Sequence, residues 1–469
     1  MMRQVVAPAR NTAGIANRTR SASNSVTYHR VGATAVHSSS SSFSSHKPSV
    51  AGVRTVVASS AATAPAATAT TTTTSQPAHF DVGDGNLIPV PSDVAPLFTS
   101  YKLSGGRFQL SNRIVYAPLT RLRAIGSVPQ PSAAVYYSQR AVPGTLLISE
   151  ATIVAPDGLG YMNSPGVYSS EQLEAWKPVV KAVKDKGALF FCQLWHCGRA
   201  SHPELQPGGA APLSSSTRPI TSPEYVVYTP SGPKQYAVPR AATKEDIKRV
   251  VADYARAAKN AIEVAGFDGV EIHGANGYFI DQFIKDSVND RTDEYGGSIE
   301  KRCRLALEVV EAVVAAVGAD RVGIRISPFA QFLDAVDSTP YATHTYLVEQ
   351  LNKYGLSYIH MVEPRILGNT EVESSSDSLE PFRRVYKGTF ITAGGFKADT
   401  GAAAVTSGQA DLVAYGRWYL ANPDLHKRFL LNAPLNKYDR NTFYSPGMEG
   451  YIDYPTLEEL QGQGEDAKQ

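Results

Sequence analysis

The stretch Val270 to Phe283 reads Val-Glu-Ile-His-Gly-Ala-Asn-Gly-Tyr-Phe-Ile-Asp-Gln-Phe. It begins as an apolar run, as a buried strand does, and breaks at Gly274 and Gly277 where His273, Asn276 and Tyr278 stand. Three hydrogen-bonding side chains therefore gather at one strand end, and the expectation is that this is the reacting end of an enzyme. Histidine and asparagine can both donate to an oxygen that gains charge in a reaction. A phenol with a pKa near 10 keeps its proton at neutral pH and suits a general acid. Cys192 and Cys197, either side of Trp195 and His196, lack the further soft ligands a metal would need and read as buried, unreactive thiols.

These residues need a frame. Short apolar runs recur at Arg113 to Ala117, Leu146 to Ala151, Leu189 to Trp195, Gly269 to His273, Val322 to Ser327, Tyr358 to Val362, Thr389 to Ala393 and Leu412 to Tyr415. Helical spacing follows each, at 133–139, 170–186, 243–265, 298–317, 341–354, 379–386, 397–407 and 423–431, with Thr243 and Ser298 as N-caps. Eight strand-then-helix units predict an α/β fold, a parallel (β/α)₈ TIM barrel. A Gly105-Gly106 turn predicts a β-hairpin ahead of it. A doubly wound sheet is the runner-up, but Gly83-Asp84-Gly85-Asn86 follows no strand and lacks the third glycine of a dinucleotide fingerprint.

In such a barrel the active site forms at the C-terminal mouth. The strand ends supply Pro118, Leu119 and Thr120; Ala151; Gln193 and Trp195; His273; Arg325; Arg365; Gly394 and Gly395; Gly416 and Arg417. Glycines and an arginine after strands seven and eight predict a phosphate site. Gln193 and Thr120 suit a ring with alternating donors and acceptors, and Arg325 suits electron-rich ring atoms, so flavin mononucleotide (FMN) fits. Arg325 could instead pair with Glu271, and Thr120 could serve a local turn.

The composition, 43% hydrophobic and 19% charged over 469 residues, is that of a globular protein, and no apolar run is long enough for a membrane span. Residues 1–80 hold seven Lys or Arg and no Asp or Glu; without them the formal charge falls from +2 to −5, which gives no basis for nucleic-acid binding. Three cysteines fit a reducing compartment. The Ala-, Ser-, Thr- and Arg-rich start predicts disorder and a plastid or mitochondrial transit peptide, or a cytoplasmic protein if it is a plain tail. The expected domains are thus 1–80, a linker over 81–96, the barrel over 97–455 and a C-terminal tail over 456–469.

Tyr-Ala-Pro-Leu-Thr-Arg at 116–121, Phe-Cys-Gln-Leu-Trp-His at 191–196, His-Gly-Ala-Asn-Gly-Tyr at 273–278 and Asn-Asp-Arg-Thr-Asp-Glu-Tyr-Gly-Gly-Ser at 289–298 carry a resemblance. So do Gly-Ile-Arg-Ile-Ser-Pro at 323–328, Ala-Tyr-Gly-Arg at 414–417 and Asn-Pro-Asp-Leu at 422–425. Together they resemble the old yellow enzyme family, and most closely its plant oxophytodienoate reductase branch. The resemblance implies an FMN barrel that reduces the C=C bond of α,β-unsaturated carbonyls with NADPH in a ping-pong cycle, as a monomer or homodimer. Pro118, Leu119, Thr120, Ala151, Gln193, Arg325, Gly394, Gly395, Gly416 and Arg417 would hold FMN. His273 and Asn276 would bind the substrate oxygen, Tyr278 would donate the proton, and Tyr161, Trp195, Tyr444 and Arg365 would line the substrate pocket. The branch carries histidine where this chain has Asn276; His-then-Asn is the fungal arrangement, which opens the substrate class. A hydrolase or aldolase barrel would want clustered carboxylates or a lysine ending a strand, and Lys285 lies past the motif. A non-catalytic flavin protein is the third reading.

Overall fold

The computed structural model describes residues 78–367, 370–371 and 375–466. Among them the strands β1 (Ile114–Tyr116), β2 (Leu146–Ile148), β3 (Leu189–Trp195), β4 (Gly269–Gly274), β5 (Val322–Ile326), β6 (Tyr358–Val362), β7 (Phe390–Ala393) and β8 (Leu412–Tyr415) pair in parallel, each with the next. The β8–β1 pairing closes the ring, so the sheet is a barrel. Helices α1 (Pro131–Ser138), α2 (Ser170–Lys184), α3 (Lys244–Lys259), α4 (Ile299–Val317), α5 (Pro340–Leu351), α6 (Glu380–Val385), α7 (Ala398–Thr406) and α8 (Leu425–Leu430) follow their strands in order. This is the (β/α)₈ fold expected from the alternation of apolar runs and helical spacing.

The strands read as continuous apolar runs because both faces are covered. Outward residues such as Val270, Ile272, Ile324 and Met361 pack under the helices. Inward residues of the lower barrel, Leu146, Phe191, Tyr358, Ile391 and Leu412, fill the interior. Gly269 is required beside them, because a Cβ there would come 2.5 Å from the Phe191 ring. The hairpin Tyr101–Leu103 with Phe108–Leu110 plugs the bottom, burying Leu103 and Leu110 in that same cluster.

The caps divide. Thr243 accepts from Asp246 N and forms a full capping box, whereas Ser298 sits at the N-cap position of α4 without a side-chain cap. The stretch 260–264 continues α3 as a π-turn. Within 81–96, residues Leu87–Pro89 pair antiparallel with His79–Asp81 and bury Ile88 opposite Phe80, so this segment carries structure of its own. A helix, Leu457–Asp466, occupies most of the C-terminal tail. The expectations for residues 1–77 lie outside the described residues. No helix among the described residues is long and apolar enough to cross a membrane.

Candidate active site

On β4, Glu271 and His273 are two residues apart and share the inward face, because strand side chains alternate. Beyond them the chain turns sharply. Asn276 and Gly277 both have left-handed backbones, at φ of 57° and 74°. Asparagine tolerates that region better than most residues, and a Cβ on Gly277 would meet the Phe332 carbonyl oxygen at 2.6 Å. Three bonds lock the turn. Asn276 N donates to Ser327 Oγ at 2.7 Å, Gly277 N donates to Asp281 Oδ2 at 2.8 Å, and Gln282 Nε2 donates to the Gly277 carbonyl at 2.8 Å. Tyr278 then precedes the short helix Phe279–Ile284.

The turn brings the expected residues together. The Tyr278 ring stands edge-on to Trp195 at 4.8 Å and to His273 at 5.2 Å. Trp195 stacks between His273 at 5.9 Å and Tyr161 at 5.6 Å. Tyr278 Oη donates to Tyr161 Oη at 3.1 Å. Burial pulls the His273 imidazole down to about 3, helped by the positive charge of Arg325, so the ring is neutral. Its Nδ1 accepts weakly from Ala275 N at 3.4 Å, which assigns the proton to Nε2 as a donor. Burial raises Tyr278 well above the ordinary phenol range, so it keeps its proton. Tyr444 is near enough to act on that ionisation by charge. Arg365 takes no part in these ring contacts; its guanidinium lies 4.6 Å over Phe396, and a pocket it lines between Glu363 and α7 measures about 410 Å³.

The flavin-binding candidates are likewise at strand ends. Gln193 Nε2 donates to Glu271 Oε1 at 2.7 Å. Arg325 forms no ion pair with Glu271; it acts on that carboxylate by charge, while its own Nε is buried without a hydrogen-bond partner. Trp195 Nε1 is unpartnered in the same way. Ala151 and Pro118 are buried at the ends of β2 and β1. Gly394 and Gly395 follow β7, and Gly416 and Arg417 follow β8, which pair with each other through Ala393 and Ala414. A Cβ on Gly394, whose φ is 151°, would lie 2.7 Å from the Glu363 Cβ, and one on Gly416 would lie 3.3 Å from Leu119. Arg417 Nη1 reaches Tyr438 Oη at 3.3 Å. Backbone opened by glycine and a buried arginine donor fit a flavin.

A model of the NADH:flavin oxidoreductase / NADH oxidase family matches residues 96–436. The chain belongs to that family. It is 55% identical to 12-oxophytodienoate reductase 1 of Oryza sativa subsp. japonica over 381 residues, covering 80% of this chain and 98% of the relative. Against 12-oxophytodienoate reductase 2 of Arabidopsis thaliana the identity is 55% over 364 residues, 77% of this chain and 96% of the relative. Morphinone reductase in complex with tetrahydroNAD superposes with a TM-score of 0.72 at 42% identity, over 77% of this chain and 97% of that structure. The old yellow enzyme homologue from Zymomonas mobilis gives 0.72 at 40%, over 77% and 99%. The resemblance of the motifs to old yellow enzymes is therefore a family relationship, and this protein is a flavin-dependent oxidoreductase that uses a nicotinamide cofactor.

Several residues at this flavoprotein site were not legible in advance. His360, mid-strand on β6, donates from Nδ1 to Glu271 Oε2 at 2.9 Å. The inward phase it shares with Tyr358 was the available signal. Tyr236, just beyond the hairpin that pairs Val227–Thr229 with Gly232–Lys234, donates to Tyr161 Oη at 3.3 Å, and no periodicity announced it. Arg121 and Arg123 bind the segment that carries Tyr444. Arg121 donates to the carbonyls of Phe443 and Gly450 at 3.1 and 2.6 Å. Arg123 donates to those of Thr442, Gly447 and Glu449 at 3.0, 2.7 and 2.9 Å.

Proposed function

We propose that this protein is an FMN-dependent ene reductase that reduces the C=C bond of α,β-unsaturated carbonyls, 12-oxophytodienoic acid or related cyclic enones among them, with NADPH as reductant. The observation that carries the reading is the meeting of His273 and Tyr278 around Trp195 at the end of β4, with Asn276 in the left-handed turn between them. FMN, held by Gln193, Arg325 and the glycine pairs after β7 and β8, would supply hydride to the β-carbon of the enone. His273 Nε2–H and the Asn276 amide hold the carbonyl oxygen, where enolate charge builds as hydride arrives. Two fixed donors in a dry site are each worth on the order of 3 kcal/mol to that charge. Tyr278 delivers its proton from Oη to the α-carbon, completing the addition of two hydrogens across the double bond. Trp195, Tyr161 and Tyr444 wall the pocket and exclude water.

One site above the ring serves both the nicotinamide and the enone, so NADPH leaves before substrate enters and the kinetics are ping-pong. Parallel double-reciprocal lines are expected; intersecting lines would refute this order. Asn276 leaves the reduction itself intact, because an amide donates to an oxygen as the histidine of the plant branch does, and its departure from that branch is why simple cyclic enones stand beside the oxylipin. The direct test is colour. Yellow protein should bleach anaerobically with NADPH, more readily than with NADH, and regain its colour when cyclohexenone is added. Protein that bleaches and stays bleached would sink the ene reductase reading. The composition of residues 1–80 supports import into a plastid or mitochondrion, which a fluorescent fusion of that segment would reveal.

A further inference from the structure

A polar layer crosses the barrel between the apolar interior and the mouth. Gln193 and Glu271 are register partners across β3 and β4, and Arg325 is the register partner of His273 on one side and His360 on the other. Glu271 and His360 are fully buried, and Gln193 is 1% exposed. Both oxygens of Glu271 are engaged, Oε1 by Gln193 at 2.7 Å and Oε2 by His360 at 2.9 Å. A carboxylate only accepts, so Gln193 must present Nε2 to it and turn its carbonyl oxygen elsewhere. For the same reason His360 carries its proton on Nδ1, and its Nε2 is left without a partner.

This arrangement is costly as packing. A carboxylate in a dry interior pays heavily for lost solvation, and the layer just below it shows that Leu146, Phe191, Ile391 and Leu412 fill the same barrel with no charge at all. Burial opposes the charge on Glu271, yet His360, Arg325 and Gln193 outweigh it and leave the carboxyl below its ordinary range, so it is ionised. Burial lowers His360, which is neutral. Glu271 therefore carries the negative charge of the layer and Arg325 the positive one.

We propose that Glu271 is a positioning residue for the flavin: it holds Gln193 in the one amide orientation that offers a carbonyl oxygen to a ring N–H, and its buried charge sets the flavin's midpoint potential lower than Arg325 alone would. The inference rests on the flavin occupying the mouth and not on which enone is reduced. Reduction builds negative charge on a flavin ring. Arg325 favours that charge and Glu271 opposes it, so a neutral residue at 271 makes the bound flavin easier to reduce.

The test is the midpoint potential of the bound flavin in the holoenzyme, by dye equilibration, for wild type, Glu271→Gln, Glu271→Asp and His360→Asn. Glu271→Gln should shift the potential positive. Glu271→Asp keeps the charge and should stay at the wild-type value, and so should His360→Asn, whose side-chain amide keeps a donor near the Nδ1 position beside the intact carboxylate. A Glu271→Gln potential equal to wild type would overturn the proposal, as would a positive shift in Glu271→Asp or His360→Asn. These last two variants decide the matter if Glu271→Gln fails to fold. A protein that shows the shift but leaves cyclohexenone untouched would sink the ene reductase reading and leave this one standing.

Discussion

Replacing Tyr278 with Phe separates the two halves of the proposed cycle. The ring contacts survive, since Trp195 at 4.8 Å and His273 at 5.2 Å meet carbon edges. One hydrogen bond is lost, the 3.1 Å bond to Tyr161, while Tyr161 keeps Tyr236 at 3.3 Å. A bond of this kind is worth about 1 kcal/mol, so in a fold of this size the melting temperature should fall by only about 1–2 °C. Catalysis should fall much further. A positioned general acid contributes roughly 10²–10⁴-fold, or about 3–5 kcal/mol of barrier, and only the enone step uses the proton. Stopped-flow absorbance reads the halves apart: flavin reduction by NADPH should keep its wild-type rate, and reoxidation by cyclohexenone should slow by at least about 10². Because burial raises the phenol well above 10, the wild-type enone step should also show no loss of acid below about pH 9. Equal slowing of both halves, or reoxidation slowed by less than about tenfold, would refute Tyr278 as the proton donor.

Asn276→Ala should lower the rate of enone reduction by about 10² through loss of one oxygen donor, with flavin content unchanged. It should also cost about 1 kcal/mol of stability for an alanine forced to φ near 57°, read by urea denaturation. Arg123→Lys exchanges a planar fork for a point charge and cannot reach the carbonyls of Thr442, Gly447 and Glu449 together. Hydrogen exchange over 440–451 should accelerate, and KM for the enone should rise more than kcat falls, because Tyr444 rides on that segment. His426, fully buried between Thr145 and Tyr419, has its pKa pulled down by burial to about 3, against 6.5 for the free ring. Between those values the unfolded chain binds a proton the folded one does not. Stability from this group is therefore complete above pH 6.5 and falls by about 1.4 kcal/mol per unit as pH drops toward 3. From pH 6.5 to 5, His426→Gln should lose about 2 kcal/mol less than wild type in urea titrations.

The barrel and the rank of its strands were legible because a parallel sheet buried on both faces leaves uninterrupted apolar runs, and each helix between them shows its own period. The turn after β4 was legible for a related reason: Gly274 ends the strand and Gly277 takes a left-handed backbone just where the polar side chains begin. Ser298 shows the limit, since its identity and place suited a cap that its side chain does not make.

By itself the sequence determined the fold and the cofactor class, which depend on local pattern along one strand and the next, and it singled out His273, Asn276 and Tyr278 as the candidate trio. The tertiary structure alone decided which groups meet across strands and segments far apart in the chain. Glu271 has a natural partner in Arg325 by charge, yet its oxygens go to Gln193 and His360, because the barrel brings those side chains within 2.9 Å of it and leaves the Arg325 Nε unpaired. Tyr236 reaches Tyr161 from 75 residues along the chain, and Arg121 and Arg123 clasp carbonyls more than 300 residues away. A hydrogen bond requires about 3 Å in space and nothing in sequence separation, so no spacing could foretell them.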